Sequence, residues 1–412
     1  RPVRLDAHAR LSRRRWNLRA PAPLSSEHGP GARAGAMAAG PFPAVRKLAV
    51  HRFRNYVDAA LEVNAPAVVL TGPNGAGKTN LLEALSFLAP GRGLRAARLS
   101  EVDRLAPGNM PAAWAVSAEI DDGDGPVRIG TGRDPAAAGD RRLVRIDGVP
   151  ARGQTVLGDH LAVTWLTPAM DRLFAEGGGG RRRFLDRLVF AFDPTHAGRV
   201  ARLDHAQRER GRLLRAGVRD DAWLAALEET IAASGVAVAA ARREMVIRLD
   251  QACGAADGAF PKARVRLVGP LEAGLAAQPA VEVEERLRIN LRDQRERGER
   301  GFDGPQKSDL EVIHVAKDMP AGLCSTGEQK ALLIAVMLAH ARLHHAYRGR
   351  SPLLLLDEVA AHLDAARRGA LFAAVGALGG QVWYTGTEPA AFDGLAGQAA
   401  FFDIVDGAIT PR

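Results

Sequence analysis

The sequence predicts an α/β fold, with a phosphate-binding head assembled from both chain ends around a short inserted helical arm. Three observations carry this reading. A glycine-rich phosphate loop begins at Gly72, an apolar strand runs into two carboxylates at Asp357 and Glu358, and a long helical stretch lies between them. Gly72 and Asp357 are 285 residues apart, too far for the two halves of the site to come from one local unit.

Taken in chain order, residues 1–43 read as a disordered or non-native extension. The first 36 mix Arg, Pro, Ala, Gly and Ser without apolar periodicity, which cannot bury a core. Met37 is the first methionine, so these residues read as upstream translated sequence, or as a transit peptide, since they are rich in Arg and poor in acids. Val45 to Val63 reads as a β-hairpin. Ala67-Val68-Val69-Leu70 is a short buried strand, followed by Gly72-Pro73-Asn74-Gly75-Ala76-Gly77-Lys78-Thr79-Asn80. That run fits the pattern G-x-x-x-x-G-K-[ST]. Its glycines let backbone N–H groups close around phosphate oxygens at a helix N-terminus. Lys78 is expected to reach the β/γ-phosphates and Thr79 to ligate Mg²⁺, making ATP and Mg²⁺ the expected cofactors. Only six of the 56 basic residues are lysine, so a lysine placed here by chance is the weaker reading.

Residues 112–170 look strand-rich, with a turn at Asp147-Gly148, and Gly177 to Gly180 reads as a hinge or loop. Residues 181–257 look helical. Trp223, Leu227, Ile231, Val238, Ala241, Met245 and Leu249 fall near one face, and a turn around 217–221 folds the stretch into a hairpin. Residues 284–308 are polar, part helix and part loop. The expected divisions are head lobe I over 44–180, the arm over 181–300 and head lobe II over 301–412.

In lobe II, Ser325-Thr326-Gly327-Glu328-Gln329 precedes the apolar helix Ala331 to Leu343. It resembles the signature of ABC-type ATPases, which presents a serine hydroxyl and a helix N-terminus to a γ-phosphate. The competing reading is an ordinary serine N-cap with Glu328 in the first turn. Leu353-Leu354-Leu355-Leu356-Asp357-Glu358 lies downstream. Asp357 is placed to hold Mg²⁺ through water and Glu358 to polarise the attacking water. Ala361-His362-Leu363-Asp364 resembles a D-loop.

Composition sets limits. At 47% apolar and 25% charged, the chain is ordinary for a globular protein. It has no run of 18 uninterrupted apolar residues, so no membrane span is expected. Two cysteines, Cys253 and Cys324, exclude a disulfide framework and suit a reducing cytoplasm. Of the net charge of +9, +6 sits in residues 1–36. Any nucleic-acid site must therefore be a local patch. Arg181-Arg182-Arg183 is one candidate, against a solvated helix start pairing with Asp186. Arg52 and Arg54 form another, against residues that merely flank a strand.

A head built from both chain ends around an arm resembles the structural-maintenance and Rad50 class of ATPases. Five motifs narrow this: Phe53-Arg54-Asn55-Tyr56, the phosphate loop, Arg181-Arg182-Arg183-Phe184-Leu185-Asp186, Gly304-Pro305-Gln306-Lys307-Ser308-Asp309-Leu310, and Ser325 to Leu333. Together they resemble the RecF family of bacterial recombination mediators over residues 44–412. The resemblance implies an ATP-dependent DNA-binding protein of gap repair and stalled-fork recovery in the DNA-damage (SOS) response. It implies that ATP binding drives a homodimer on single-stranded, duplex or gapped DNA, that slow hydrolysis releases it, and that RecO and RecR are partners in loading RecA. Three departures stand out. The usual Gly-Pro-His-Arg reads Gly304-Pro305-Gln306-Lys307. The switch histidine is replaced by Gly386 or Thr387. No Q-loop glutamine is evident, and Thr167 stands near its place. The last two suit an ATPase used as a slow switch. The rivals are a transporter-type ATPase subunit, disfavoured by the 285-residue separation, and a scaffold with a vestigial site, disfavoured by Lys78, Asp357 and Glu358.

Overall fold

The computed structural model describes residues 44–104, 113–122, 125–134, 141–218, 220–299, 301–360 and 363–412. The expectations for residues 1–43, and for 361–362 of the D-loop, lie outside them. β1 (Ala44–Phe53) and β2 (Tyr56–Glu62) form the expected hairpin, turning at Arg54-Asn55. β3 (Ala67–Thr71) leads into α1 (Lys78–Ser86). β4 (Ala115–Asp121), β5 (Pro126–Arg133), β6 (Arg142–Ile146) and β7 (Val149–Pro150) extend the hairpin into an antiparallel sheet ordered β2-β1-β4-β5-β6-β7. Asp147 and Gly148, both at positive φ, make the tight β6–β7 turn.

After α2 (Leu157–His160), β8 (Val163–Leu166) joins a second sheet. The middle of the chain then runs through α3 (Gly178–Phe190), α4 (His196–Arg215), α5 (Asp221–Gly254), β9 (Ala263–Val268), α6 (Pro270–Ala277) and α7 (Ala280–Glu296). β10 (Asp309–His314), β11 (Met319–Pro320), α8 (Thr326–Arg348), β12 (Leu353–Leu356), α9 (Ala365–Gly376), β13 (Val382–Gly386), β14 (Ala399–Val405) and β15 (Ala408–Pro411) complete it. The second sheet runs β15-β14-β3-β13-β12-β8 and is parallel except at β14–β15. A small antiparallel sheet, β11-β10-β9, pairs the inserted stretch with the strands that precede α8.

The parallel strands are buried on both faces, which is why β3 and β12 read as continuous apolar runs. Successive residues go to opposite sides. Val68, Leu70, Leu353, Leu355 and Trp383 pack toward α1 and the antiparallel sheet. Val69, Leu354, Leu356, Val382 and Tyr384 pack toward α3, α5 and α8. Each leucine so buried stabilises the fold by about 1.5–3 kcal/mol. Because the two chain ends interleave in this sheet, the phosphate loop and the acidic strand end on the same edge of the head.

The inserted stretch is not all helix, since it contains β9. Two local expectations are corrected. Gly178 to Gly180 are not a hinge: they form the first turn of α3, with Gly177 as its N-cap. First-turn N–H groups need no intrahelical partner, and Arg181 anchors that turn to Asp309 on β10 through two 2.7 Å bonds. Trp223 is exposed, and its neighbour Leu224 takes the buried position on α5.

α5 is long and apolar enough by length and composition to cross a membrane. Its environment is that of a core helix. Half of its most apolar window is buried inside the protein. Ile231, Val236 and Val238 pack with α4 and α7, and Glu228 and Arg242, both buried, pair with Arg210 and Asp186. Charges in mid-helix facing other helices are satisfied by protein and would be costly in lipid.

Candidate nucleotide site

Two glycines of the phosphate loop are fixed by close approaches. Gly72 has φ of 146°, and a Cβ there would lie 2.1 Å from the Ile404 carbonyl oxygen on β14. Gly77 has φ of 116°, and a Cβ there would lie 2.5 Å from Asn55 Nδ2 and 2.6 Å from the Tyr56 hydroxyl. The β1–β2 turn thus clamps the loop from outside. Asn55 Nδ2 donates to the Ala76 carbonyl at 3.0 Å, and the Tyr56 hydroxyl donates to the Gly77 carbonyl at 3.1 Å. Asn80 Nδ2 donates to Asn55 Oδ1 at 2.7 Å, tying the first turn of α1 to the same hairpin. Pro73, Asn74 and Gly75 form an exposed crest. Lys78 Nζ donates to the Gly72 and Pro73 carbonyls at 2.7 and 2.9 Å, so the ammonium sits in the loop's own cup. Burial holds the Lys78 pKa below its ordinary value, against the charges of Glu358 and Asp357. A cation within a ring of backbone groups at a helix N-terminus suits phosphate oxygens.

The acidic strand meets this loop directly. The Asp357 N–H donates to the Leu166 carbonyl at 2.9 Å, which fixes the end of β12 against β8. The Thr79 hydroxyl donates to Asp357 Oδ1 at 2.9 Å, across 278 residues of sequence. The Thr385 hydroxyl donates to the same oxygen at 2.7 Å. The Glu358 N–H donates to Thr385 Oγ1 at 2.9 Å, and Glu358 sits at a φ of 52°. Burial raises the Asp357 pKa, opposed by the Thr385 and Thr79 hydroxyls. An aspartate oxygen in contact with a threonine hydroxyl is a pair of hard donors. It fits Mg²⁺, which takes one or two carboxylates and fills its octahedron with water and phosphate. Among the described residues no group of three or more His, Cys, Asp or Glu could hold a metal by itself.

The signature lies apart from this centre. Ser325 is the N-cap of α8. Its hydroxyl donates to Glu328 Oε2 at 2.9 Å, its N–H donates to the same oxygen at 3.0 Å, and Glu328 is also paired with Lys317. These bonds hold the Glu328 carboxyl down at about 2, the Lys317 bond contributing most. Ser325, Thr326 and Gly327 are exposed. Among the described residues no recorded hydrogen bond or ion pair joins 325–328 to the phosphate loop. The N-cap reading of Ser325 therefore describes the single protomer.

Several candidates have other occupations. The Arg54 guanidinium is bidentate to Glu83 of α1 at 2.9 and 2.7 Å, which makes it a brace of the loop helix, while Arg52 stays exposed. Asp186 does not pair with the arginine triplet, contrary to the competing reading of that run. It is bidentate to Arg242 and lies 2.9 Å from His196 Nε2. Arg181 is taken by Asp309 and Arg182 donates to the Ser308 carbonyl, leaving Arg183 as the exposed member. Gln306 bonds the Phe302 carbonyl and Gln207, and Lys307 is exposed. A side chain at Gly386 would place its Cβ 2.6 Å from the Phe392 ring, so of the two switch positions only Thr387 is open. Thr167 follows β8 directly, beside the bond that anchors Asp357. Asp364 caps α9 through the Arg367 N–H at 2.8 Å. Cys253 and Cys324 are free and buried. The sequence reading missed Thr385 as a site residue, although it is the second-last residue of the strand after which a switch residue was sought.

A glycine loop and an Asp-Glu strand meeting on a parallel sheet, with the signature-like run capping α8, define an ABC-type ATPase head. Residues 44–383 match the family described as RecF/RecN/SMC N terminal domain. The chain is 47% identical to the DNA replication and repair protein RecF of Brucella suis, over 89% of this chain and 96% of that protein. It is 48% identical to that of Mesorhizobium japonicum, over 89% of this chain and 97% of that one. The fold matches a solved structure of the recombination mediator protein RecF with ATP at a TM-score of 0.75 and 20% identity, over 92% of this chain and all of that one. The chain belongs to the RecF family.

Proposed function

We propose that this protein is an ATP-dependent DNA-binding protein of recombinational gap repair and replication-fork recovery, acting in the cytoplasm. The observation that carries the nucleotide reading is the 2.9 Å contact of Thr79 with Asp357, which joins two sequence-distant motifs into one oxygen-donor site beside Lys78. The relatives' names supply the DNA repair context. ATP with Mg²⁺ supplies a charged triphosphate that couples binding to closure. Within the chain, residues 72–80 cradle it, Lys78 balances its β/γ charge, Thr79 and Asp357 hold the metal side, and Glu358 orients and deprotonates water. Lobes over 44–180 and 301–412, with an arm over 181–300, give the head its two halves.

The signature is exposed and, among the described residues, is bonded within 317–329, so in this reading Ser325, Gly327 and Glu328 complete the site of a second copy. A two-fold pair then carries two composite sites and presents two heads to one DNA. RecO and RecR are the partners the family implies. Light scattering with saturating ATP tests this. Wild type is expected to dimerise at micromolar protein, whereas Ser325→Arg binds ATP within about threefold of wild type, a shift under ~0.7 kcal/mol, and stays monomeric. A mutant that dimerises equally well would reduce Ser325 to a helix cap.

A further inference from the structure

We propose that Thr385 is a positioning residue that sets both acids of the nucleotide site through one hydroxyl group. This rests on the nucleotide reading above. A hydroxyl has one proton to give and lone pairs to receive. Here the proton goes to Asp357 Oδ1 at 2.7 Å, and the oxygen accepts the Glu358 N–H at 2.9 Å. The result is a single chain, Glu358 N–H to Thr385 O–H to Asp357 carboxylate.

Each link has a consequence. Asp357 Oδ1 has two hydroxyl donors, Thr79 and Thr385. With Mg²⁺ bound, the Thr79 hydroxyl would serve the metal, and Thr385 would remain as the donor that keeps the carboxylate's rotamer. Glu358 sits at a φ of 52°, where a residue with a β-carbon is uncommon and needs support from its surroundings. Its N–H bond to Thr385 is that support, and it fixes the point from which the Glu358 side chain leaves the backbone. Thr385 is itself held within the sheet. It is fully buried on β13, paired with Leu70 of β3, and its neighbour Tyr384 pairs with Leu356 of β12. The strand next to the phosphate loop thus reports directly on the acidic pair. A residue that merely fills the core needs the methyl group; this role needs the hydroxyl.

Two substitutions separate these requirements. Thr385→Val keeps the shape and removes the hydroxyl, whereas Thr385→Ser keeps the hydroxyl and removes the methyl. The readouts are affinity for a slowly hydrolysed ATP analogue in EDTA and in saturating Mg²⁺, and steady-state hydrolysis. Partners behind a metal-binding carboxylate are typically worth about 10–100-fold in metal affinity or activity. Thr385→Val is therefore expected to bind the analogue within about twofold of wild type in EDTA, to lose at least about tenfold of the gain that Mg²⁺ gives, and to hydrolyse ATP at least about tenfold more slowly. Thr385→Ser is expected to recover both to within about threefold. Full retention of the Mg²⁺-dependent gain by Thr385→Val, or a serine variant as impaired as the valine, would overturn the assignment. If the valine variant does not fold, Thr385→Cys, of similar shape but with a weak donor, is read the same way and is expected to fall between serine and valine. A wild type that binds no nucleotide would instead sink the nucleotide reading itself.

Discussion

Two buried carboxylates, each gripped by a bidentate arginine, should differ sharply in what they contribute to stability. Asp186 on α3 takes Arg242 at 2.8 and 2.7 Å and lies 2.9 Å from His196. Glu83 on α1 takes Arg54 at 2.9 and 2.7 Å together with Arg95. The carboxylates are similarly buried, but their partners are not. The Arg242 side chain is 6% exposed, whereas those of Arg54 and Arg95 are 20% and 39% exposed. Asp186→Asn strands the Arg242 charge where water cannot reach it, a loss of about 3–5 kcal/mol. Glu83→Gln leaves two arginines that can rehydrate, so the expected loss is about 1–3 kcal/mol, the cost of unmet hydrogen bonds. Equilibrium urea unfolding of the nucleotide-free protein at pH 7 measures both. Asp186→Asn should shift the midpoint by clearly more than Glu83→Gln. An equal or larger loss from Glu83→Gln would show that partner exposure does not set the cost, and the reasoning would fail. Nucleotide affinity should move the other way, falling with Glu83→Gln because α1 carries Lys78 and Thr79.

Lys78→Ala should lower ATP affinity by at least about a hundredfold, roughly 2.7 kcal/mol for a phosphate-bound charge; unchanged affinity in a fluorescence titration would defeat the loop assignment. Glu358→Gln should bind ATP like wild type, hydrolyse it at least about a hundredfold more slowly and accumulate the ATP-bound dimer; wild-type turnover would remove Glu358 from water activation. His340 and His344, which bond the Leu188 and Ala191 carbonyls, are held down by burial to about 3 and about 4. They fold neutral while the unfolded chain protonates near 6.5, so their contribution is complete above that pH and is lost as pH falls toward 4. The slope is up to about 1.4 kcal/mol per pH unit for each. Replacing both with glutamine should flatten the fall in urea midpoint between pH 6.5 and 4, and an unchanged slope would exonerate them.

What could be read from the sequence was what local pattern encodes. β3, the phosphate loop and α1 form one contiguous unit with a known spacing, and β12 announces itself as four leucines before two acids. The long helix α5 follows from its apolar period. What could not be read were partners far along the chain. Arg54 finds Glu83 29 residues away, Asp186 finds Arg242 56 residues away, and Arg181 finds Asp309 128 residues away. No periodicity specifies such pairs, and a triplet of arginines looks like a phosphate patch until its partners are known. Gly178 to Gly180 failed for a related reason. Glycine runs disfavour helix locally, and a tertiary bond from Arg181 overrides that preference. Thr385 escaped because a lone threonine at a strand end has no signature until the sheet order places it between β3 and β12.

The state of the signature in one protomer bears on how the proposed dimer would close. Ser325 and Glu328 satisfy each other in a capping box, so the hydroxyl that the proposed γ-phosphate contact would use is already engaged. A carboxyl held at about 2 stays ionised throughout the physiological range, and a bare carboxylate would repel a triphosphate brought against it. Lys317 lies on Glu328 and offsets that charge. In the proposed shared site, then, the signature would exchange one charge-assisted hydrogen bond, to the Glu328 carboxylate, for another, to phosphate. The margin is small for each site. Two such sites closing together would double it, so the proposed dimer would engage when both protomers hold ATP and let go once either γ-phosphate is lost.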